Sequence, residues 1–201
     1  MNELLNVAAL VGLPASGKGS VAADTVCALK AQTGNEWKHI STSAVLGRTL
    51  ERERGLQIGA LENYDVKASY RDALTEMQSR LRTTDPAYLI NCALEEPSHY
   101  KVIDSPRSTA DFDRLIACGA LFILISGAPE ERRKAALTAR DPDGWKKVGA
   151  SCIEQELARN IPLLAARTNL LIEVSNESYV VEELRRRLHL EVYRFFCPYQ
   201  Q

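Results

Sequence analysis

Asn6-Val7-Ala8-Ala9-Leu10-Val11-Gly12-Leu13-Pro14-Ala15-Ser16-Gly17-Lys18-Gly19-Ser20 is an apolar run that breaks into glycines, a lysine and a hydroxyl. Residues 6–11 have the length and composition of a buried strand. From about Lys18 to Ala31 the pattern turns helical, and Gly34 stops it. A glycine-rich turn between a strand and a helix suits one chemistry above others. Glycines let the backbone curl until several N–H groups point inward at phosphate oxygens. The helix N-terminus adds partial positive charge there. Lys18 adds a full charge that can follow a transferring phosphoryl group. Gly12, Ala15, Ser16, Gly17, Lys18, Gly19 and Ser20 are therefore the candidate phosphate-binding residues, and the Ser20 hydroxyl is the best candidate for the magnesium environment.

Outward from this loop, β-rich runs alternate with helical patterns. Further strands are expected at residues 38–41, 101–103, 120–125 and 169–174. The run at 120–125 is almost wholly apolar, as in a central strand buried on both faces. This alternation predicts an α/β fold: a three-layer P-loop NTPase sandwich, with a five-stranded parallel sheet and helices on both faces. Val66, Tyr70, Ala73, Leu74, Met77 and Leu81 form an apolar stripe at helical spacing. Asp85-Pro86 has the form of an N-cap followed by proline at the first helical position. Ser108-x-x-Asp111 and Ser151-x-x-Glu154 resemble capping boxes. Ala128-Pro129-Glu130-Glu131 opens a helix, Asp141-Pro142-Asp143-Gly144 is a turn, and Pro162 kinks or ends the helical segment around it. The last strand leads into an amphipathic helix through Leu184 and Leu188.

At 201 residues, 45% hydrophobic and 25% charged, the chain suits one domain over residues 1–201 with a substantial core. No apolar run approaches the roughly 18 residues of a membrane span. The N-terminus has no basic start or small-residue cleavage site, so a cytoplasmic protein is expected. The net charge of −1 gives no support for a protein that grips nucleic acid by its phosphates. Cys27, Cys92, Cys118, Cys152 and Cys197 are scattered without a CxxC pair, which reads as free thiols in a reduced compartment. His39, His99 and His189 stand apart from one another and from the cysteines, so no metal site built from side-chain ligands is expected. Nothing in the pattern specifies an oligomer.

The form Gly17-Lys18-Gly19-Ser20 resembles adenylate kinase and its nucleoside-monophosphate kinase relatives. The resemblance implies ATP as phosphoryl donor, Mg²⁺ as cofactor and a small nucleotide as partner. His39-Ile40-Ser41-Thr42-Ser43 is similar to the segment after their second strand, beyond which the acceptor monophosphate binds. It implies Thr42 and Arg48 as acceptor contacts, although the family's Asp and Arg positions fall on Ala44 and Gly47 and Arg48 is displaced by one. Val102-Ile103-Asp104-Ser105-Pro106-Arg107 with Ala110-Asp111-Phe112 resembles phage deoxynucleoside-monophosphate kinases and archaeal relatives of dephospho-coenzyme A kinase. Those groups carry a segment like Tyr70-Arg71-Asp72-Ala73-Leu74 through Leu81-Arg82, which implies Arg71 and Arg82 on the acceptor. By the same resemblance, Asp104 orients Mg²⁺-bound water or takes the acceptor's proton, and Arg107 clamps the acceptor.

Further along, Arg132, Arg140 and Arg159 are the candidate lid cations. Asn176 opens the loop that packs on adenine in the relatives. The acceptor-binding helical region is expected at about residues 43–95 and the lid at about 138–160. The leading function is a kinase acting on a (deoxy)nucleoside monophosphate. The first alternative keeps the donor site and phosphorylates 5-hydroxymethyluracil in DNA, as do phage kinases of this general type. The second is a regulatory nucleotide-binding protein or slow ATPase.

Overall fold

β1 (Val7–Val11) is buried along its whole length because it has neighbours on both edges and both faces. The computed structural model describes residues 5–198. In it, β1 pairs in parallel with β3 (Tyr100–Asp104) on one edge and β4 (Leu121–Ser126) on the other. β2 (Trp37–Ser41) lies outside β3, and β5 (Leu171–Ser175) outside β4. The order β2-β3-β1-β4-β5 is parallel throughout, so all five carboxyl ends lie on one side of the sheet. The five-stranded three-layer sandwich expected from the sequence is the observed fold.

Period-two geometry divides the core between two helical layers. Ala8 and Leu10 face α1 (Ala22–Thr33) and α11 (Val181–Phe196), which contribute Ala28, Leu29, Leu184, Leu188 and Val192. Val7, Ala9 and Val11 face the opposite layer. That layer holds α2 (Thr42–Arg54), α4 (Arg71–Thr84), α5 (Tyr88–Glu95) and α6 (Thr109–Ala117), and α9 (Cys152–Asn160) adds Leu157. The remaining helices are α3 (Tyr64–Ser69), α7 (Glu130–Arg140), α8 (Gly144–Ala150) and α10 (Leu164–Arg167).

Three local expectations need correction. The helix expected from Lys18 begins as a 3₁₀ turn, Lys18–Ser20, and becomes α-helical only at Ala22. The stripe from Val66 to Leu81 belongs to two helices, α3 and α4, separated at Tyr70. Val66 is consequently exposed, while Leu74 and Met77 are buried, and Lys67 reaches Ser43 Oγ at 3.2 Å. Asp85 ends α4, and α5 starts two residues later than Asp85-Pro86 implies. The Asp85 carboxylate still organises this start, accepting from Ala87 N at 3.0 Å and Asn91 Nδ2 at 2.9 Å. The Ser108–Asp111 capping box forms in full. Ser151 caps α9 by accepting from Glu154 N, but the Glu154 carboxylate goes to Arg107 instead of returning to the cap.

Candidate functional site

The loop after β1 is held by contacts from the far end of the chain. Asn176 Nδ2 donates to Ser16 O at 2.7 Å, and Tyr179 Oη donates to Ala15 O at 2.8 Å. Gly17 has φ 99°, and a Cβ there would lie 2.8 Å from Asn176 Nδ2, so both backbone and packing demand glycine. Gly12 sits behind the loop, where a Cβ would meet Ile125 O at 2.9 Å; it permits close approach to β4 and does not line the cleft. Gly19 has nothing within 4 Å of a would-be Cβ, which leaves open space in front of the loop.

A cleft of about 600 Å³ opens there. Ala15, Ser16, Gly17, Lys18, Gly19 and Ser20 form its floor. Tyr179, Val181, Leu184 and Ala136 contribute apolar lining, and Asp104, Ser105 and Arg140 also line it. Ala15, Ser105 and Tyr179 all have left-handed backbones, with φ 56°, 59° and 54°, and all three line this cleft. Such conformations are costly for residues with a Cβ and concentrate at ligand sites.

Lys18 carries the electrostatic signature of an anion site. Burial first, then the Arg107 and Arg140 charges, lower its pKa to about 8, against a partial offset from Asp104. Asp104 ends β3, beside the end of β1, and pairs in register with Leu10. Its Oδ2 meets His39 Nε2 at 3.0 Å, while Oδ1 is buried without a partner. Burial lowers the pKa of Lys67, with Asp104 opposing the shift. Sequence reasoning missed His39, Lys67 and Tyr179 as parts of this site. Lys67 sits in the short helix cut from the apolar stripe, and His39 lies 65 residues from its partner.

Ser105 also lines a second cavity, of about 400 Å³. Thr42, Arg71, Arg82 and Arg107 line it together, joined by Lys67. Burial lowers the pKa of Arg107, and the nearby Arg82 charge adds to this, against Asp104 and Asp111. Arg82 pairs with Asp111 at 2.9 Å, and Arg107 pairs with Glu154. Arg71 reaches Asp141 at 2.6 Å, which also takes Lys147 at 2.8 Å. Arg48 does not join this cavity: it pairs with Glu96, which also attracts Lys38 at 3.6 Å. The α2 helix therefore directs Arg48 to the β2 edge.

Of the lid cations, only Arg140 lines the first cleft. Arg132 and Arg159 are exposed and line neither cavity, since they point outward on α7 and α9. The neighbouring Arg133 instead stacks its guanidinium over Trp145, 5.7 Å from the ring centroid. The turn after Arg140 is tightly built: Gly144 N donates to Asp141 O at 2.7 Å, and a Cβ on Gly144 would lie 2.6 Å from Leu137 O.

Buried polar atoms without a partner gather at these two cavities. Ser16 Oγ, Asp104 Oδ1 and Asn176 Oδ1 belong to residues of the first, and Asp111 Oδ1 and Glu154 Oε2 to residues of the second. Arg133 Nε and Ser175 Oγ are the exceptions among the described residues. Such atoms are rare in folded proteins unless a ligand, ion or water completes them.

Among the described residues, no group of three or more His, Cys, Asp or Glu side chains is placed to hold a metal. The donor set nevertheless fits Mg²⁺ in one specific way. Ser20 and Asp104 offer hard oxygens on the first cleft, and this ion commonly takes few protein ligands, completing its shell with water and substrate phosphates. No described helix is long and apolar enough to cross a membrane.

No protein-family model and no curated protein matches the sequence. Among solved structures, the chain is similar to a gluconokinase from Sinorhizobium meliloti 1021, with 15% identity and a TM-score of 0.43, covering 97% of this chain and 95% of that one. It is also similar to a sugar kinase from Janibacter sp. HTCC2649, with 14% identity and a TM-score of 0.42, covering 96% and 98% respectively.

Proposed function

We propose that the chain transfers the γ-phosphoryl group of ATP to a small anionic acceptor of nucleotide type, with (deoxy)nucleoside monophosphates as the first class to test. One observation carries this reading. A phosphate-loop cleft and a cation-lined cavity meet at Ser105, and incomplete buried polar atoms belong to residues lining both. A protein that only bound a nucleotide would have no use for the second cavity.

The roles follow from position. The apolar lining from Tyr179, Val181 and Leu184 takes the base, and the loop takes the phosphates. Lys18 and Arg140 stabilise charge that spreads over the transferring group, where preorganised cations act most strongly. Lys67, Arg71, Arg82 and Arg107 hold the acceptor anion. Ser20 and Asp104 would hold Mg²⁺, which would supply neutralising charge to the nucleotide phosphates. Residues 138–160 act as the lid, closing the junction to water and so limiting hydrolysis of ATP.

The test is transfer from terminally labelled ATP to a panel of nucleoside and deoxynucleoside monophosphates, a dephosphorylated nucleotide cofactor, sugar acids and an oligonucleotide carrying 5-hydroxymethyluracil. A labelled small-molecule product is expected. Labelling of the oligonucleotide alone would transfer the conclusion to the DNA kinase. ATP binding without transfer to any acceptor would favour the regulatory protein.

A further inference from the structure

The second cavity is not a plain anion site. Lys67, Arg71, Arg82 and Arg107 line it, but so do the carboxylates Asp111 and Glu154. Each carboxylate uses only one oxygen on the protein. Asp111 Oδ2 accepts from Arg107 N at 2.9 Å, Ser108 N at 3.0 Å and Arg82 Nη2 at 2.9 Å. Its Oδ1 is buried without a partner in a side chain that is 4% exposed. Glu154 Oε1 meets Arg107, and Oε2 is likewise buried and unpartnered in a side chain that is 11% exposed.

Glu154 stands there because α9 is docked on α6. Two residues further on, Glu156 Oε1 accepts from Thr109 N at 2.7 Å and Thr109 Oγ1 at 2.8 Å, and Asn160 Nδ2 donates to the same hydroxyl at 3.2 Å. The segment expected to cover ATP therefore also supplies a wall of the acceptor cavity. Carboxylate oxygens can only accept hydrogen bonds. A ligand with nothing but negative charge would be drawn to the arginines and repelled by these two carboxylates.

We propose that the Asp111 and Glu154 carboxylates, which line this cavity, select acceptors that present N–H or O–H donors beside their anionic group, and disfavour donor-free anions. This rests on the reading of the second cavity as the acceptor site. Glu154 is then the residue through which lid placement depends on acceptor identity.

The experiment uses the full chain with a non-hydrolysable ATP analogue and measures binding of matched ligand pairs by calorimetry. Gluconate is compared with hexanoate, guanosine monophosphate with inosine monophosphate, and adenosine monophosphate with purine riboside monophosphate. The pairs separate hydroxyl donors from base amino donors. In at least one pair the member with the additional donors should bind about 100-fold more tightly, because an acceptor left unpaired on desolvation is penalised heavily. Glu154→Gln should reduce that preference below about tenfold. It should also strengthen competition by sulfate, since Arg107 loses its carboxylate partner. Glu154→Asp keeps the charge, shortens the reach and should lose the preference without the gain for sulfate, so it decides the matter if Glu154→Gln does not fold. No preference in any pair, or a preference unchanged in both variants, would overturn the proposal. Binding of the ATP analogue alone is measured first. Its absence would refute the kinase reading, while the pairs would still report on the cavity.

Discussion

The two cavities are built on different plans. The floor of the first is one contiguous stretch, residues 15–20, the expected phosphate loop. The second is assembled from five distant pieces: the start of α2, α3 with α4, α5, the turn after β3 with the start of α6, and α9. Its chemistry lies in side-chain charges already paired within the protein: Arg82 with Asp111, Arg107 with Glu154, Arg71 with Asp141. The donor side is thus preformed and electrically incomplete, whereas the acceptor side is internally compensated. A ligand entering the first cleft meets a lysine whose charge Asp104 only partly offsets; one entering the second must compete with resident carboxylates. On the proposed function, that difference makes the second cavity the more selective of the two.

The comparison breaks first at Lys18. Lys18→Ala should lower transfer by on the order of a thousandfold, the size of a lost transition-state charge contact, with the fold intact. A folded variant with near-normal turnover would refute the donor site. Asp104→Asn should come next, cutting kcat by roughly 100-fold or more while ATP affinity changes little, because it keeps size and loses charge at the junction. If only thermal stability fell, Asp104 would belong to the scaffold.

Arg140→Ala should reduce turnover on the order of 100-fold, whereas Arg132→Ala, on the outward face of the same helix, should be nearly silent. With Trp37 replaced, Trp145 fluorescence should change when an ATP analogue binds, since the ring lies under Arg133 beside the Asp141–Gly144 turn. A fully active Arg140→Ala enzyme with unchanged emission would make residues 138–160 ordinary surface.

On the acceptor side, Arg71→Ala should raise the acceptor KM by about tenfold, and Arg48→Ala by less than about twofold. The first lines the cavity and the second serves the Glu96 pair. Equal effects would erase the boundary drawn between them.

The smallest expected effect is a proton. The Lys18 pKa is about 8 in the folded protein and 10.5 for the unperturbed group, so between those values the unfolded chain binds more protons. Stability of the ligand-free protein should therefore gain a contribution as pH rises through this window, and the cost of the charged lysine is fully present below it. Bound phosphates favour the charged form. ATP binding near pH 8.5 should then take up a fraction of a proton, seen as a calorimetric enthalpy that depends on the buffer. Buffer-independent enthalpy would mean that Lys18 does not meet the phosphates.

The sequence shows most clearly the features that depend on neighbouring residues. Five strands, the turn at 12–20, the Ser108 cap and the break after Arg140 all come from local pattern, because strand burial, glycine conformation and capping are decided within a few residues. The same local logic misjudged α3 and α4, where the periodicity runs unbroken across Tyr70 but the chain does not. It also could not separate Arg48 from Arg71, because both are arginines on helices facing one region.

Residues 6–20, read alone, determined a phosphate loop between a strand and a helix, and with the alternating pattern the five-stranded parallel sheet around it. Only the tertiary structure decided that His39 stands against Asp104, that Tyr179 and Asn176 brace the loop from its far side, and that Glu154 lines the second cavity. The reason is physical. A phosphate loop uses backbone N–H groups and a helix end, which adjacent residues supply together. A charge-lined cavity depends on Coulomb partners brought within a few ångströms by the packing of separate helices, and sequence distance carries no trace of that approach.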